Sequence, residues 1–223
     1  MPVSDENLLL VEGESDRSFF EEVCTRLGLR AHVRVAPPKD VGGRFNTKQG
    51  LLDHLPLLLK LLPQGQLKRL AVVVDADFVA NSGLGYLRTF NAIETLLSAN
   101  GFAHIKRSTP QEKGLTFRHS NGLADLGAWI MPNNRDDGAL ENFLHPCVSA
   151  AEQTLFQRAQ HVVTSLPTPK FGPTQTRKAE LATWLAWQRN PGRGLHYALH
   201  DHLFDAACPP FAGLSEWLRR TFP

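Results

Sequence analysis

Short apolar runs and amphipathic segments alternate along the first hundred residues of the chain. Residues 8–11 and 70–74 are continuously apolar, a pattern typical of strands that are covered on both faces of a parallel sheet. Residues 32–35 predict a shorter strand between these two. Apolar residues at helical spacing predict the intervening helices, over about 16–27, 48–62 and 84–99, with Ser15 or Asp16 as the first cap and Gly28 as the first stop. This order of elements predicts an α/β fold with a largely parallel sheet.

The second half of the chain predicts two more strands, followed by helices. The strands are expected over 115–117 and 125–131, where they would form a hairpin. The helices are expected over about 148–163, 176–188 and 214–221. We therefore expect residues 1–145 to form an α/β core and residues 146–223 to form a helical extension that packs on it within one folding unit.

The composition is that of an ordinary globular protein and excludes several classes. Hydrophobic residues make up 42% and charged residues 21% of the 223 residues, which suffices for a buried core and excludes fibrous and disordered proteins. The 24 basic and 22 acidic residues give a formal net charge of +2. This near-balance excludes a simple histone-like nucleic-acid binder.

The cysteines and the apolar segments indicate the cellular compartment in which we expect the protein. Cys24, Cys147 and Cys208 are odd in number, far apart and without a Cys-x-x-Cys pair, so we expect free thiols and a reducing cytosol. The first residues lack the basic and apolar regions of a signal peptide. The leucine-rich stretch 51–62 contains polar residues and is too short to cross a bilayer. The sequence predicts a cytoplasmic protein that does not interact with membranes.

Acidic residues follow the predicted strands at the ends where an open α/β sheet binds its ligands. Glu12 ends the first strand, and Asp75 and Asp77 end the valine-rich strand. Neighbouring carboxylates repel each other unless a cation neutralises them, and carboxylate oxygens are ligands that Mg²⁺ prefers. Further acids lie near these positions: Asp16, Asp136, Asp137 and Glu141. The alternative for these acids is structural, as helix caps, turn residues or first-turn acids that complement a helix dipole.

Taken together, these residues resemble the Toprim fold, which has a strand ending in Glu-Gly, a further acid nearby and a later strand ending in Asp-x-Asp. Here residues 9–16 read LLVEGESD and residues 72–77 read VVVDAD. Toprim domains occur in topoisomerases, bacterial primases, maturation ribonucleases and overcoming-lysogenization-defect nucleases. The resemblance implies a Rossmann-like sheet flanked by helices, Mg²⁺ held by Asp75 and Asp77, and Glu12 in acid–base chemistry or metal binding.

Three later blocks are similar to a family of small standalone Toprim-like bacterial proteins. They are residues 127–134 (GAWIMPNN), 138–144 (GALENFL) and 178–188 (KAELATWLAWQ). With these blocks the resemblance extends over nearly the whole chain.

A Toprim-like site would bind Mg²⁺, or Mn²⁺ in its place, on Asp75 and Asp77 with Glu12 close by. Glu12 would also accept the proton of the attacking group. Asp16, Asp136, Asp137 or Glu141 would supply a second ion, and Glu141 is the preferred of the four. Lys178 either extends to solvent or points into the site, where it would stabilise charge on a phosphate.

Basic residues elsewhere are candidates for contacts with nucleic-acid phosphates. Lys39 and Arg44 flank a glycine pair in a loop that does not match a Walker A motif, and Arg107 lies in a second basic segment. His196, His200 and His202 are close in sequence, but they lack the His-Glu-x-x-His pattern of a zinc enzyme. We therefore expect nucleic acid as the partner and no zinc site.

The leading hypothesis is Mg²⁺-dependent phosphodiester chemistry on nucleic acid, by a nuclease that acts with a separate ATPase in phage defence. Residues 75–79 (DADFV) also match the Asp-x-Asp-x-Val/Thr motif of haloacid-dehalogenase-like phosphatases, although that motif usually follows the first strand of its domain. A third hypothesis is a non-catalytic metal-binding or regulatory subunit of an ATPase. The sequence leaves the oligomeric state open.

Overall fold

The computed structural model of the protein describes residues 6–36, 47–105 and 113–223. Six strands form one sheet: β1 (Asn7–Val11), β2 (His32–Val35), β3 (Arg69–Asp75), β4 (Phe102–His104), β5 (Leu115–His119) and β6 (Leu126–Met131). Their spatial order is β2-β1-β3-β6-β5-β4. The predicted phosphate contacts Lys39, Arg44 and Arg107 lie outside the described residues.

The sheet is parallel at its centre and antiparallel at one side. β1 pairs in parallel with β2 and with β3, and β3 pairs in parallel with β6. β5 is antiparallel to both β6 and β4. The predicted α/β fold with a mostly parallel sheet is confirmed, and β4 is a short edge strand that the sequence pattern did not predict.

Within the described residues, eight α-helices cover the sheet and extend beyond it: α1 (Glu14–Leu27), α2 (Lys48–Leu59), α3 (Gly85–Ser98), α4 (Leu140–Leu144), α5 (Gln153–Thr164), α6 (Thr176–Ala186), α7 (Leu195–His200) and α8 (Pro209–Thr221). The N-cap of α1 is Gly13, with extended backbone, rather than Ser15 or Asp16. Asp16 instead lies at the third helical position, where its Oδ2 accepts the N–H of Gly13 at 3.0 Å. Gly28 ends the helix at φ 66°, as predicted.

Alternate residues of β1, β3 and β6 face two separate hydrophobic clusters, because successive side chains of a strand point to opposite faces of the sheet. Leu9 and Val73 pack with α1, α4 and the C-terminal helices, including the buried Trp184 and Trp217. Leu10 and Val72 belong to the other cluster, which includes apolar residues of α2 and α3. The C-terminal helices thus share one core with the sheet, and within the described residues none of the helices is long and apolar enough to span a bilayer.

Cys147 and Cys208 form a disulfide, which corrects the expectation of three free thiols. Their Cα atoms lie 5.7 Å apart although 61 positions separate them in sequence. The proximity comes from tertiary structure, since Val148 forms a β-bridge with Phe204. Cys24 remains a free, buried thiol, and burial raises its pKa to about 12. The prediction of a reducing cytosol depended on three free thiols, and two of these are joined in a disulfide.

Candidate active site

The first two candidate site residues lie at the carboxyl ends of two adjacent strands. Parallel pairing of β1 with β3 places Val11 beside Val73, so Glu12 and Asp75 emerge at the same edge of the sheet. The backbone N–H of Asp75 donates to Glu12 Oε2 at 3.3 Å. The structure therefore brings these two carboxylates together.

Two helices bring further carboxylates to the same place. The backbone N–H of Leu140, at the start of α4, donates to Asp75 Oδ1 at 3.1 Å. Glu141 follows in α4, and Asp16 comes from the first turn of α1. Together with Lys178 of α6, these acids line one cavity of about 620 Å³. We call it the acidic cavity, defined by Glu12, Asp16, Asp75 and Glu141.

Burial and mutual repulsion disfavour the charged forms of these acids. Burial raises the pKa of Glu12 to about 7, against the opposing effect of Lys48 and with a further increase from Asp77. Burial likewise raises the pKa of Asp16 to about 6, and Glu141 adds to the increase. The pKa of Asp75 is raised well above its ordinary value, first by burial and then by Asp16, Glu12, Glu141 and Asp77. Without a cation the cavity therefore retains protons that exposed carboxyl groups would lose.

Lys178 borders the acidic cavity and pairs with one of its acids. Its Nζ lies 3.1 Å from Glu141 Oε1, while 62% of its side chain is exposed. Partial burial acts to lower the pKa of Lys178, but Glu141, Asp75 and Asp16 together raise it above its ordinary value. The sequence left open whether Lys178 extends to solvent or points into the site. Both hold in part, because the side chain is largely in solvent while its ammonium group lies at the cavity.

Asp77 points to a different partner. Its Oδ2 lies 2.5 Å from Lys48 Nζ, its backbone N–H donates to Gly138 O at 2.8 Å, and its φ is 62°. Left-handed backbone is uncommon for residues other than glycine, although aspartate adopts it more often than most. Asp77 therefore influences the pKa of Glu12 and Asp75, but it does not line the acidic cavity.

Lys48 is a site residue that sequence reasoning missed. Its side chain is only 9% exposed, and its Nζ also donates to Ala76 O at 3.1 Å. The sequence does carry a sign of its burial, because Lys48 lies on the same face of α2 as Leu51, Leu52 and Leu55, at helical spacing. A lysine within an apolar stripe has to find a buried partner, and here that partner is the Asp77 carboxylate.

The remaining candidate acids lie elsewhere. Asp136 is exposed, and hydrogen bonds from Asn133 and Arg135 lower its pKa. The carboxylate of Asp137 accepts the N–H of Tyr86 at 2.7 Å. Neither residue lines the acidic cavity. Of the four further acids considered in the sequence analysis, Asp16 and Glu141 are therefore the two that lie in the cavity with Asp75.

The histidines do not form a group. His196 lines the acidic cavity, whereas His200 contacts Glu22 and His202 contacts Arg26. Over residues 6–36, 47–105 and 113–223, no three His, Cys, Asp or Glu side chains are already arranged to hold a metal ion. The chemistry of the acidic cavity nevertheless fits a hard divalent cation, because its donors are carboxylate oxygens, which such cations prefer.

The fold and this cavity define an α/β protein with clustered carboxylates at the carboxyl edge of a mostly parallel sheet. The model of the family described as "Protein of unknown function (DUF3226)" matches residues 6–223, and the chain belongs to this family. No curated protein and no solved structure matches the chain. The Toprim resemblance and the activity that it implies therefore stay predictions.

Proposed function

We propose that this protein catalyses Mg²⁺- or Mn²⁺-dependent cleavage of phosphodiester bonds in nucleic acid. The main support is the arrangement of Glu12, Asp16, Asp75 and Glu141 around one open cavity bordered by Lys178. Clustered carboxylates are unfavourable unless a cation compensates them. A substrate phosphate supplies the remaining oxygen ligands that Mg²⁺ commonly takes in such sites.

The residues that would hold the ion follow from their positions. Glu12 and Asp75 follow adjacent strands and are linked by the hydrogen bond from the Asp75 backbone N–H to Glu12 Oε2, and Asp16 and Glu141 are available for a second ion. Asp77 would join as a ligand only by leaving Lys48, with which it is paired at 2.5 Å. When bound, the ion would polarise a phosphoryl oxygen and offset the negative charge that develops in the transition state.

The chain's own residues supply the proton transfer and a positive charge. Glu12 accepts a proton from the attacking water, whose oxygen forms a bond to phosphorus while the bond to the leaving strand breaks and the leaving oxygen takes a proton from solvent. Burial raises the pKa of Glu12 to about 7 in the metal-free protein, and a bound cation would lower it, which leaves Glu12 ionised and able to accept the proton at neutral pH. The Lys178 ammonium group, which is largely exposed and 3.1 Å from Glu141, would stabilise charge on the phosphate.

The test is a cleavage assay on plasmid, single-stranded DNA and structured RNA with Mg²⁺ or Mn²⁺. Wild type is compared with Glu12→Gln and Asp75→Asn, and with the matched controls Glu21→Gln and Asp136→Asn at exposed acids. We expect cleavage that needs the metal and falls by roughly 100-fold or more in the two site variants, as removal of a general base or ligand does. Equal cleavage by wild type and both site variants would contradict the proposal.

The two other functions are distinguished by separate measurements. A haloacid-dehalogenase-like phosphatase would use Asp75 as an ionised nucleophile, but Asp75 is buried among acids and its pKa is raised. Covalent trapping of Asp75 by a phosphate mimic would support that enzyme. Failure of calorimetric titrations to detect Mg²⁺ or Mn²⁺ binding would favour the non-catalytic subunit, and the separate ATPase stays a prediction in either case.

A further inference from the structure

A second cavity of about 610 Å³ adjoins the acidic cavity. Its lining comes from the end of α6, the segment that joins α6 to α7, and α7 itself. Leu185 and Gly194 line both cavities, so the two share a wall. We call the second one the arginine pocket, after Arg189 and Arg193.

Two arginines of this pocket have no acidic partner. Arg189 and Arg193 are exposed, and within the described parts of the chain neither makes an ion pair. The Arg193 guanidinium lies 4.0 Å from the centre of the Tyr197 ring. This stacking restricts the side chain and leaves its N–H donors at the edge of the guanidinium plane, as recognition of a planar anion or a phosphate requires.

Other polar groups of the pocket suit a nucleotide. Asn190 contributes a side-chain amide, which both donates and accepts hydrogen bonds, whereas the amide nitrogen of Gln188 already donates to Glu152 Oε2 at 2.8 Å. Asp201 is the acid among the described lining residues, so the two arginines leave the pocket with a positive balance. A volume of this size accommodates a ligand about as large as one nucleotide, rather than a duplex.

We propose that the arginine pocket binds phosphates of a single-stranded nucleic acid whose neighbouring segment lies at the acidic cavity. The inference rests on the proposed function, because that function requires a phosphodiester at the acidic cavity. It assigns the substrate class, a single strand, and the residues that anchor it, Arg189 and Arg193.

The length of the acidic cavity along α6 corresponds to a few nucleotides of a strand. Lys178 borders the acidic cavity and Leu185 lies at the shared wall, seven residues further along α6. This separation is about 10 Å along the helix axis. It corresponds to about three nucleotide steps at the phosphate rise of a stacked strand. A strand anchored at the arginine pocket therefore reaches the carboxylates within a few nucleotides.

The two cavities also complement each other electrostatically. Carboxylates repel a phosphate, so an acidic cavity alone has low affinity for nucleic acid until a cation is present. Arginine contacts to phosphates on the flanking nucleotides supply affinity that does not depend on the metal. Binding and cleavage can therefore be measured separately.

The experiment measures binding by fluorescence anisotropy in EDTA, with labelled DNA and RNA single strands of about 12 nucleotides and a duplex of the same length. The test protein is Arg189→Gln/Arg193→Gln. The control is Arg158→Gln/Arg219→Gln, which removes the same charge from exposed positions outside both cavities. We expect about 10-fold weaker single-strand binding by the pocket variant, and a salt dependence smaller by about 1.4 in log–log slope. The control should stay within about twofold of wild type, because phosphate contacts and not net charge determine the affinity.

A second variant separates charge from geometry. Arg189→Lys/Arg193→Lys keeps both charges but loses the planar fork of donors, so we expect an intermediate loss of affinity. Equal single-strand binding by the pocket variant and the control variant would overturn the inference. The absence of single-strand binding by wild type, or a preference for the duplex, would overturn it as well.

Failure of the inference and failure of the proposed function give different results. If wild type cleaves with metal and the pocket variant binds and cleaves equally well, the arginine pocket is not the anchor, while the proposed function stands. If the pocket variant loses single-strand binding and wild type never cleaves, the anchor stands and the proposed function fails. Thermal unfolding of every variant checks that the fold is retained.

Discussion

The acidic cavity and the arginine pocket have nearly the same volume, about 620 and 610 Å³, but opposite charges and different burial. Glu12, Asp16 and Asp75 are buried enough for their pKa values to rise, whereas Arg189 and Arg193 are exposed. Exposed charges cost little, while buried charges of one sign are unfavourable without compensation. The repulsion between clustered, buried carboxylates thus indicates that a cation binds in the acidic cavity. The arginine pocket indicates an anionic ligand chiefly because it adjoins that cavity.

The largest effect is expected from reversing the charge of Lys178 at the acidic cavity. Lys178→Glu replaces the Lys178–Glu141 ion pair, at 3.1 Å, with two repelling carboxylates and removes a positive charge near the phosphate. We expect the cleavage rate at saturating metal to fall by about 100-fold, as for loss of one electrostatic contact to the transition state. Lys170→Glu, at an exposed loop position, is the control and should keep the wild-type rate. If both variants keep it, the substrate phosphate does not approach Lys178.

Removal of one buried carboxylate should stabilise the metal-free protein at alkaline pH. The pKa of Glu12 is about 7 in the folded state against 4.5 ordinarily, so the folded protein binds more protons between these values. Its stability therefore falls as the pH rises from about 4.5 to 7. We expect Glu12→Gln to be more stable than wild type at pH 8 by about 1 to 3 kcal/mol and equally stable at pH 4.

Urea unfolding in EDTA at both pH values checks this difference, with Glu21→Gln as the exposed control. A stability gain that is equal at pH 4 and pH 8 would show that the ionisation of Glu12 is not its cause. The arginine pocket offers the contrast, because Arg189→Gln should leave stability unchanged at both pH values.

A bound divalent cation should offset the repulsion between the carboxylates of the acidic cavity and so stabilise the folded protein. At pH 8, Mg²⁺ at about 10 times its dissociation constant would raise the free energy of unfolding by about 1.4 kcal/mol. The Asp75→Asn variant should show a much smaller increase, whereas the Arg189→Gln/Arg193→Gln variant should respond as wild type does. Thermal unfolding across a Mg²⁺ titration measures this, and an equal response in Asp75→Asn would remove Asp75 from the ligand set.

The smallest effect is expected from the buried lysine that pairs with Asp77, Lys48. Lys48→Met leaves Asp77 without its partner at 2.5 Å, but Asp77 is 43% exposed and regains contact with water. We expect a loss of about 1 kcal/mol, below the range for a fully buried pair. Asp77→Asn and the double variant complete a mutant cycle in urea unfolding, and a coupling energy near zero would contradict the importance of this pair.

Several features were predictable because they depend on local sequence. Continuous apolar runs identified β1 and β3, and the parallel arrangement placed Glu12 and Asp75 at one edge of the sheet. The edge strand β4 was missed because its three residues include only one that is fully buried.

Other features depend on contacts between distant segments. The Cys147–Cys208 disulfide depends on a bridge between segments far apart in sequence. The orientation of Asp77 depends on its left-handed backbone and on Gly138. The arginine pocket arises where the α6–α7 segment folds beside the acidic cavity, which no local pattern in residues 187–194 indicates.

The Cys147–Cys208 disulfide closes a covalent ring that contains α5, α6 and α7. Lys178, Arg189 and Arg193 all lie within this ring. A protease that cuts once in the exposed α6–α7 segment therefore releases no fragment, and the nicked chain separates into two pieces on a denaturing gel only after reduction. The wall shared by the two cavities stays tethered to the rest of the molecule at both ends, even when the backbone between them is broken.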